Sequence, residues 1–502
     1  MIAGLGWLLL GALGARADVR LPALFTEGMV LQRDIPVPIW GWANDGEKIT
    51  VKFRNQQHRT VAHHGKWMIR LEPLTAGGPN HLIIVGKNRI VFANVLVGEV
   101  WLASGQSNME FPLKRSFEVS ADIAAAANPN LRLFTVPKLK AELPVDDVKA
   151  AWEECNPQTV PDFSAVAYYF GRDLQRALRV PVGLIHSSWG GSPAEVWMSE
   201  AALAANPDYQ RDIVDAYPAA WHRYMRELQA WQQAKAQAAR EGQTFNRYQP
   251  FAPWRPSELY NGMIAPLIPY AIRGVIWYQG ESNAGRAWEY RTLFPDLIRN
   301  WRRDWGEGNF TFLAVQLAPF MRIRPEPGDS AWAELRDAQL HATQVLPNVG
   351  LAVITDVGDE MDIHPTKKAP VGARLALAAR GIAYHERTYP LQPIIYSGPV
   401  CRGQKIEGNK IILSFESVGE GLVPRGGELK GFAIAGADRK FVWAKAEIHD
   451  NKVIVSSPQV ANPVGVRYDW ADYPIGNLWN KNGLPASPFR TDRFPLTTQP
   501  KP

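Results

Sequence analysis

The sequence predicts an α/β fold, a largely parallel sheet covered by helices, set between two blocks of β structure. Three observations lead there. After Gly98, short apolar runs alternate with stretches of helical periodicity, the rhythm of repeated β-then-α units. Before Gly98 and after about Pro390, the chain reads instead as short alternating segments punctuated by Gly, Asn and Asp. At 502 residues it is also too long for one ordinary core.

Met1 to Ala17 is an apolar run too short to span a bilayer comfortably, and it ends in Ala15-Arg16-Ala17, a small-x-small cleavage pattern. It is expected to be a signal peptide, which implies a periplasmic or secreted protein with no membrane attachment after cleavage. No Lys or Arg precedes the apolar run, and a buried N-terminal helix is the alternative. Residues 18–97 are expected to form a β domain, with strands around Val37 to Trp42, Ile49 to Phe53 and Trp67 to Leu71.

Residues 98–389 carry the α/β rhythm. Its strands are expected at Glu99 to Ala103, Val182 to His186, Gly274 to Tyr278, Phe310 to Val315 and Gly350 to Ile354. Helical periodicity covers Ser164 to Leu178, Pro256 to Ile268, Trp288 to Trp301, Trp332 to Val345 and Thr366 to Ala383. The polar stretch of about 199–254 has no strand partner and is expected to be a helical insert or lid. Residues 390–502 return to β structure, for example at Lys410 to Phe415 and Lys452 to Val455.

Composition excludes several classes. With 46% apolar and 21% charged residues the chain is neither disordered, fibrous nor polytopic. The net charge is +6, but Lys and Arg are dispersed among acids without a basic tract, so no nucleic-acid partner is expected. Two cysteines, Cys155 and Cys401, exclude a disulfide scaffold and a cysteine-built zinc site and leave room for one bridge. The 19 Trp residues suit sugar-ring stacking, although large cores also consume Trp.

Four elements fall where α/β strands end, the place where open α/β sheets hold ligands. The first is Ser104-Gly105-Gln106-Ser107-Asn108-Met109, in which a Gly lets the backbone turn sharply and presents Ser107 as a nucleophile; a helix N-cap is the plain alternative. The second is Gln279-Gly280-Glu281-Ser282-Asn283, where the Asn283 amide can donate into an oxyanion hole or simply shape a turn. The third is Asp356 to Pro365, where His364 can take the serine proton or cap the next helix. The fourth is Ser188-Trp189-Gly190-Gly191, whose glycines can bring a backbone N–H close to a carbonyl oxygen. Each has a bland explanation alone; their joint occurrence favours catalysis.

These residues resemble the signature blocks of the sialate O-acetylesterase family within the SGNH-hydrolase superfamily. The similarity extends to Phe25 to Arg33, Phe163 to Leu174, Val466 to Leu478 and Asn482 to Phe489, nearly the whole mature chain. The resemblance implies a flavodoxin-like three-layer sandwich and a serine esterase that removes acetyl groups from carbohydrates without metal or organic cofactor. It implies Ser107 as nucleophile, His364 as base, and an oxyanion hole of the Ser107 N–H, one of Gly190 and Gly191, with Gly191 preferred, and Asn283.

The superfamily often has Asp three residues before His, a position held here by Met361. Asp362 is therefore the first choice for the acid behind His364, since alternate side chains of an extended loop share a face. Glu281, Asp359 and Asp356 compete. Gln106, Glu281, Trp197 and Arg336 are candidate sugar contacts, as are Glu195 and Gln339; for Glu195, Trp197, Arg336 and Gln339 packing or surface salt bridging is the plainer role. An acetylated carbohydrate is the expected partner, either acetylated sialic acid or hemicellulose such as xylan or xyloglucan, and the oligomeric state is open. A carbohydrate-binding protein with an inactive hydrolase unit is the competing class, and a lipase-like or peptidase-like hydrolase is disfavoured by the absence of a Gly-x-Ser-x-Gly elbow.

Overall fold

Six parallel strands form the centre of the molecule: β1 (Arg89–Gly105), β2 (Asn128–Thr135), β3 (Val182–Ser188), β4 (Gly274–Tyr278), β5 (Thr311–Val315) and β6 (Val349–Ala352). Their order across the sheet is β6-β5-β4-β1-β3-β2, closed at one edge by the antiparallel strand Glu153–Cys155. The computed structural model describes residues 18–388 and 391–500, so the expected signal peptide lies outside the described residues.

The middle strands are apolar throughout because both faces are covered. Trp277 and Phe312 point into one core with Leu297, Trp301 and Leu335 from the helices Ala287–Trp305 and Ala331–Val345. Ile276, Tyr278 and Leu313 point into the other, with Val166, Phe170 and Leu375 from the helices Ala165–Leu178 and Ala369–Ile382. The result is the three-layer α/β/α sandwich expected from the family resemblance. Ser164 caps the helix Ala165–Leu178 by accepting from the Ala167 N–H, and Ser330 does the same for Ala331–Val345.

Strand β1 is longer than the sequence suggests. The expected strand starts at Glu99, whereas a single strand of 17 residues runs through that point. Through Val97 it pairs antiparallel with Gly77–Val85 of the N-terminal β region, alternating exposed with half-buried residues as far as Asn94; from Val95 on it is buried, and from Glu99 it lies within the parallel sheet. Val30–Gln32 also pairs with Leu96–Gly98. The N-terminal β region and the central sheet thus share a backbone.

One further difference has a local cause. The expected helix at Pro256 to Ile268 is a π-turn, Tyr260–Ile264, followed by a 3-10 turn, Ala265–Leu267; Pro266 and Pro269 cannot donate to a helical ladder. The insert is dominated by a 24-residue helix, Tyr217–Arg240, of which only Ala238 is buried. Cys155 and Cys401 are free thiols. No helix among the described residues is long and apolar enough to cross a membrane.

The C-terminal region packs its strands around a separate core that includes Ile411, Leu413, Phe432, Val453, Val455, Val466 and Tyr468. It docks on the helix Ala331–Val345, where Glu334 accepts from Thr497 and Thr498 and Ser330 donates to Asp472.

At the end of β1 the chain approaches β4 so closely that a side chain cannot fit. Gly105 has φ 135°, and a Cβ there would lie 2.2 Å from the Tyr278 carbonyl oxygen. Gly105→Ala should therefore destabilise the protein by about 3 kcal/mol, read from the urea midpoint; a midpoint equal to wild type would refute this account of the contact.

Candidate active site

The turn that bears Ser107 is tied down on both sides. Gln106 N–H donates to Tyr278 O at the end of β4 (2.9 Å), and Trp189 N–H donates to Gly105 O (3.1 Å). Ser107 then opens the short helix Ser107–Glu110, whose first amides have no intrahelical partner. The switch in strand order on either side of β1 places this turn in a crevice at the carboxyl ends of β3, β1 and β4.

His364 comes from the loop between β6 and the helix Ala369–Ile382, and its Nε2 lies 2.9 Å from Ser107 Oγ across 257 residues of sequence. Its Nδ1 faces Asp362 Oδ1 at 3.3 Å, and the same oxygen accepts the His364 backbone N–H at 2.8 Å. The competing carboxylates are occupied elsewhere. Asp356 forms a two-pronged pair with Arg374, and Asp359 accepts the Met361 and Asp362 N–H groups. Glu281 accepts from Asn108 Nδ2 at 2.7 Å, and burial holds its carboxyl above the usual range.

Asn283 is buried, and its orientation is fixed: Oδ1 accepts from Ala194 N–H and Gln279 Nε2, while Nδ2 donates to Glu195 at 3.0 Å and keeps a second hydrogen. Glu195 is in turn ion-paired with Arg286, so it supports Asn283 rather than reaching for a sugar. Of the two glycines, Gly190 packs against Ser107; a Cβ on it would lie 3.2 Å from Ser107 Cβ, and its N–H donates to Glu110 at 2.7 Å. Gly191, with φ 75°, has open space around it. Gln106 Oε1 faces the Gly280 and Ser282 N–H groups at 3.5 and 3.3 Å, joining the first two signature turns.

Two expected sugar contacts are corrected by the structure. Trp197 is fully buried, donates to Ser192 Oγ and packs edge-on to Trp277, so it is a core residue. Arg336 is also fully buried; its guanidinium donates to the carbonyls of Leu317, Ala318, Ala471 and Asp472 and holds the C-terminal region to the central unit. Gln339, one turn on, likewise spends its amide on backbone groups of Gln279, Val315 and Leu317. The i, i+3 spacing of Arg336 and Gln339 places them on one helix face, and that face looks into the protein.

The structure also adds residues that the sequence reading did not assign. Lys368 is buried, its Nζ donates to Asn108 Oδ1 at 2.5 Å, and burial pulls its ammonium down to about 7. A lysine at the cap position of a helix N-terminus opposes the helix dipole, a signal in the sequence that something else holds it there. Beside Gly190, Trp189 meets Trp254 edge-on at 5.7 Å; Lys140 lies 3.9 Å over Trp254 and Lys138 lies 5.4 Å over Trp189. Both lysines are ion-paired, with Glu258 and Glu110. Among the described residues no group of His, Cys, Asp and Glu is arranged to hold a metal ion.

Known proteins are similar to this chain over nearly its whole length. The crystal structure of a carbohydrate acetylesterase from Xanthomonas citri superposes with a TM-score of 0.81 at 39% identity, covering 95% of this chain and 100% of that one. The chain belongs to the sialate O-acetylesterase family of carbohydrate esterases. A family model described as carbohydrate esterase, sialic acid-specific acetylesterase, matches residues 236–380. The sialate O-acetylesterases of Rattus norvegicus and Homo sapiens are each 28% identical, over 95% and 94% of this chain and 95% and 92% of their own lengths. As a member of this family the protein is a carbohydrate O-acetylesterase.

The burial of Arg336 separates stability from substrate binding. Arg336→Met leaves four carbonyls short of a donor and should cost about 3 kcal/mol in urea unfolding while KM for p-nitrophenyl acetate stays within twofold; a raised KM at unchanged stability would restore Arg336 as a substrate contact.

Proposed function

We propose that the esterase works through an acetyl-serine intermediate on Ser107, with His364 as general base and then acid and Asp362 as the group that orients it. The observation that carries this reading is the 2.9 Å contact between Ser107 Oγ and His364 Nε2, with a carboxylate behind the other ring nitrogen. In neutral imidazole one nitrogen accepts and the other donates. With Nδ1–H toward Asp362, Nε2 is free to take the Ser107 proton as Oγ attacks the acetyl carbonyl carbon. The oxyanion is held by the Ser107 and Gly191 N–H groups and the second hydrogen of Asn283 Nδ2. Collapse breaks the bond to the sugar oxygen, which leaves with the proton from His364. Water then gives its proton to His364, attacks the acetyl group and releases acetate, and the proton returns to Ser107.

The leaving alcohol is a sugar hydroxyl of an acetylated sialic acid or of an acetylated hemicellulose such as xylan or xyloglucan. Trp189 and Trp254, next to the glycine that abuts Ser107, support a stacked sugar ring at the entrance. With the apolar segment Met1 to Ala17 acting as a leader, the enzyme meets these glycans in the periplasm or outside the cell.

Turnover of p-nitrophenyl acetate tests the mechanism. Ser107→Ala should lose about 10³-fold or more in kcat and Asp362→Asn about 10²-fold or more, with Asp359→Asn near wild type. An active Ser107→Ala would remove the nucleophile, and a collapse confined to Asp359→Asn would move the acid. On acetylated xylo- and xyloglucan oligosaccharides and on O-acetyl sialic acid, Trp254→Ala should raise KM for the true substrate by roughly three- to tenfold relative to p-nitrophenyl acetate. An equal effect on glycan and small ester would argue against stacking.

A further inference from the structure

Asn108 follows the nucleophile directly and is fully buried, yet every polar atom of its side chain is engaged. Nδ2 donates both to Glu281 Oε1 at 2.7 Å and to the Ile363 carbonyl at 3.0 Å; Oδ1 accepts from Lys368 Nζ at 2.5 Å. These partners come from the turn after β4, from the residue just before His364 and from the C-terminal end of the loop that carries it. The loop needs such a hold, because its working side chains are open to solvent: Asp362 is 55% exposed and His364 32%. Its other ties lie away from the His364 peptide and include the Asp356–Arg374 pair, Ile323 N–H to Glu360, Asp359 N–H to Pro319 O and Phe117 N–H to Thr366 O. The Ile363 carbonyl belongs to the peptide that precedes His364, so a bond to it sets where the imidazole starts.

We propose that Asn108, Glu281 and Lys368 form a buried clamp that positions the His364 loop against Ser107, Asn108 gripping the Ile363–His364 peptide while Glu281 and Lys368 fix the orientation of its amide. The proposal rests on the reading of Ser107 and His364 as nucleophile and base. A carboxylate on one side and an ammonium on the other allow the amide only one orientation, with Nδ2 toward Glu281 and Ile363. The flipped amide would place oxygen against oxygen at Glu281 and nitrogen against nitrogen at Lys368. Burying both charges beside one amide is costly by itself; Lys368 lies against the Phe111 and Tyr278 rings, and Glu281 Oε2 has no hydrogen-bond partner among the described residues. All three are positioning residues and touch no reacting atom.

The test compares Asn108→Leu, Lys368→Met, Glu281→Ala and Glu281→Gln in the full-length enzyme, with Ser107→Ala alongside. The readouts are kcat and KM for p-nitrophenyl acetate, the rate of Ser107 labelling by a fluorophosphonate, and the urea midpoint to count folded molecules. Per folded molecule, Asn108→Leu and Glu281→Ala should lose about 10²-fold in kcat and in labelling rate with KM within about threefold, because a base displaced by about 1 Å loses the proton transfer and not the binding. Glu281→Gln keeps an acceptor for Asn108 and should recover most of what Glu281→Ala loses, which a loss of general stability would not do. Lys368→Met should fall between them. Wild-type kcat in folded Asn108→Leu, or equal losses in Glu281→Ala and Glu281→Gln, would overturn the clamp; should Asn108→Leu not fold, the Glu281 pair decides alone. An active Ser107→Ala would overturn the underlying mechanism instead.

Discussion

Strand β1 meets β4 at Gly105, where the Gln106 N–H takes the Tyr278 carbonyl and no Cβ can be admitted. Everything at the crevice is referenced to that contact. It brings the turn that bears Ser107 beside the turn that bears Glu281 and Asn283, and Gln106 then reaches across to the Gly280 and Ser282 amides. On the other side, Gly105 O receives the Trp189 N–H, so the Gly-Gly turn is drawn to the same point. Three strand ends are locked within hydrogen-bonding distance of one another before any side chain of the chemistry is considered.

The His364 loop is the exception. It is the farthest from this backbone contact, since β6 lies three places from β1 across the sheet. Its reach back to Ser107 depends on side chains, and those side chains are charged and buried. Loss of solvent also perturbs the groups around the crevice, bringing Lys368 at the end of this loop down to about 7 and the buried His186 of β3 to about 4. The candidate site is a rigid sheet edge to which one outer loop is fastened.

The second shared design is the continuity of the outer regions with the core. β1 serves two sheets in succession, and its burial pattern changes from alternating to continuous at Val95 without a break in the chain. At the far side Arg336 performs the equivalent task with four carbonyl bonds. The flanking β regions are therefore structurally part of the hydrolase, and changes in them will be felt in its stability.

By itself the sequence determined the layers and the strand ends. Apolar runs such as Gly274–Tyr278 have one physical outcome, a strand buried on both faces, and the Gly and Ser residues after them mark the turns that follow. The turns that carry Ser107, His364 and Asp362 could be placed because each follows an apolar strand; that the three side chains meet is a tertiary fact. The tertiary structure alone decided which polar residues face the crevice and which face inward. Trp197 and Arg336 read as sugar contacts by proximity in sequence and were buried by packing, while Lys368 and Asn108 gave only a misplaced cap and an unremarked neighbour of a serine. Periodicity reports which face of an element is apolar; it carries no record of what other segment, 260 residues away, arrives to meet a buried amide.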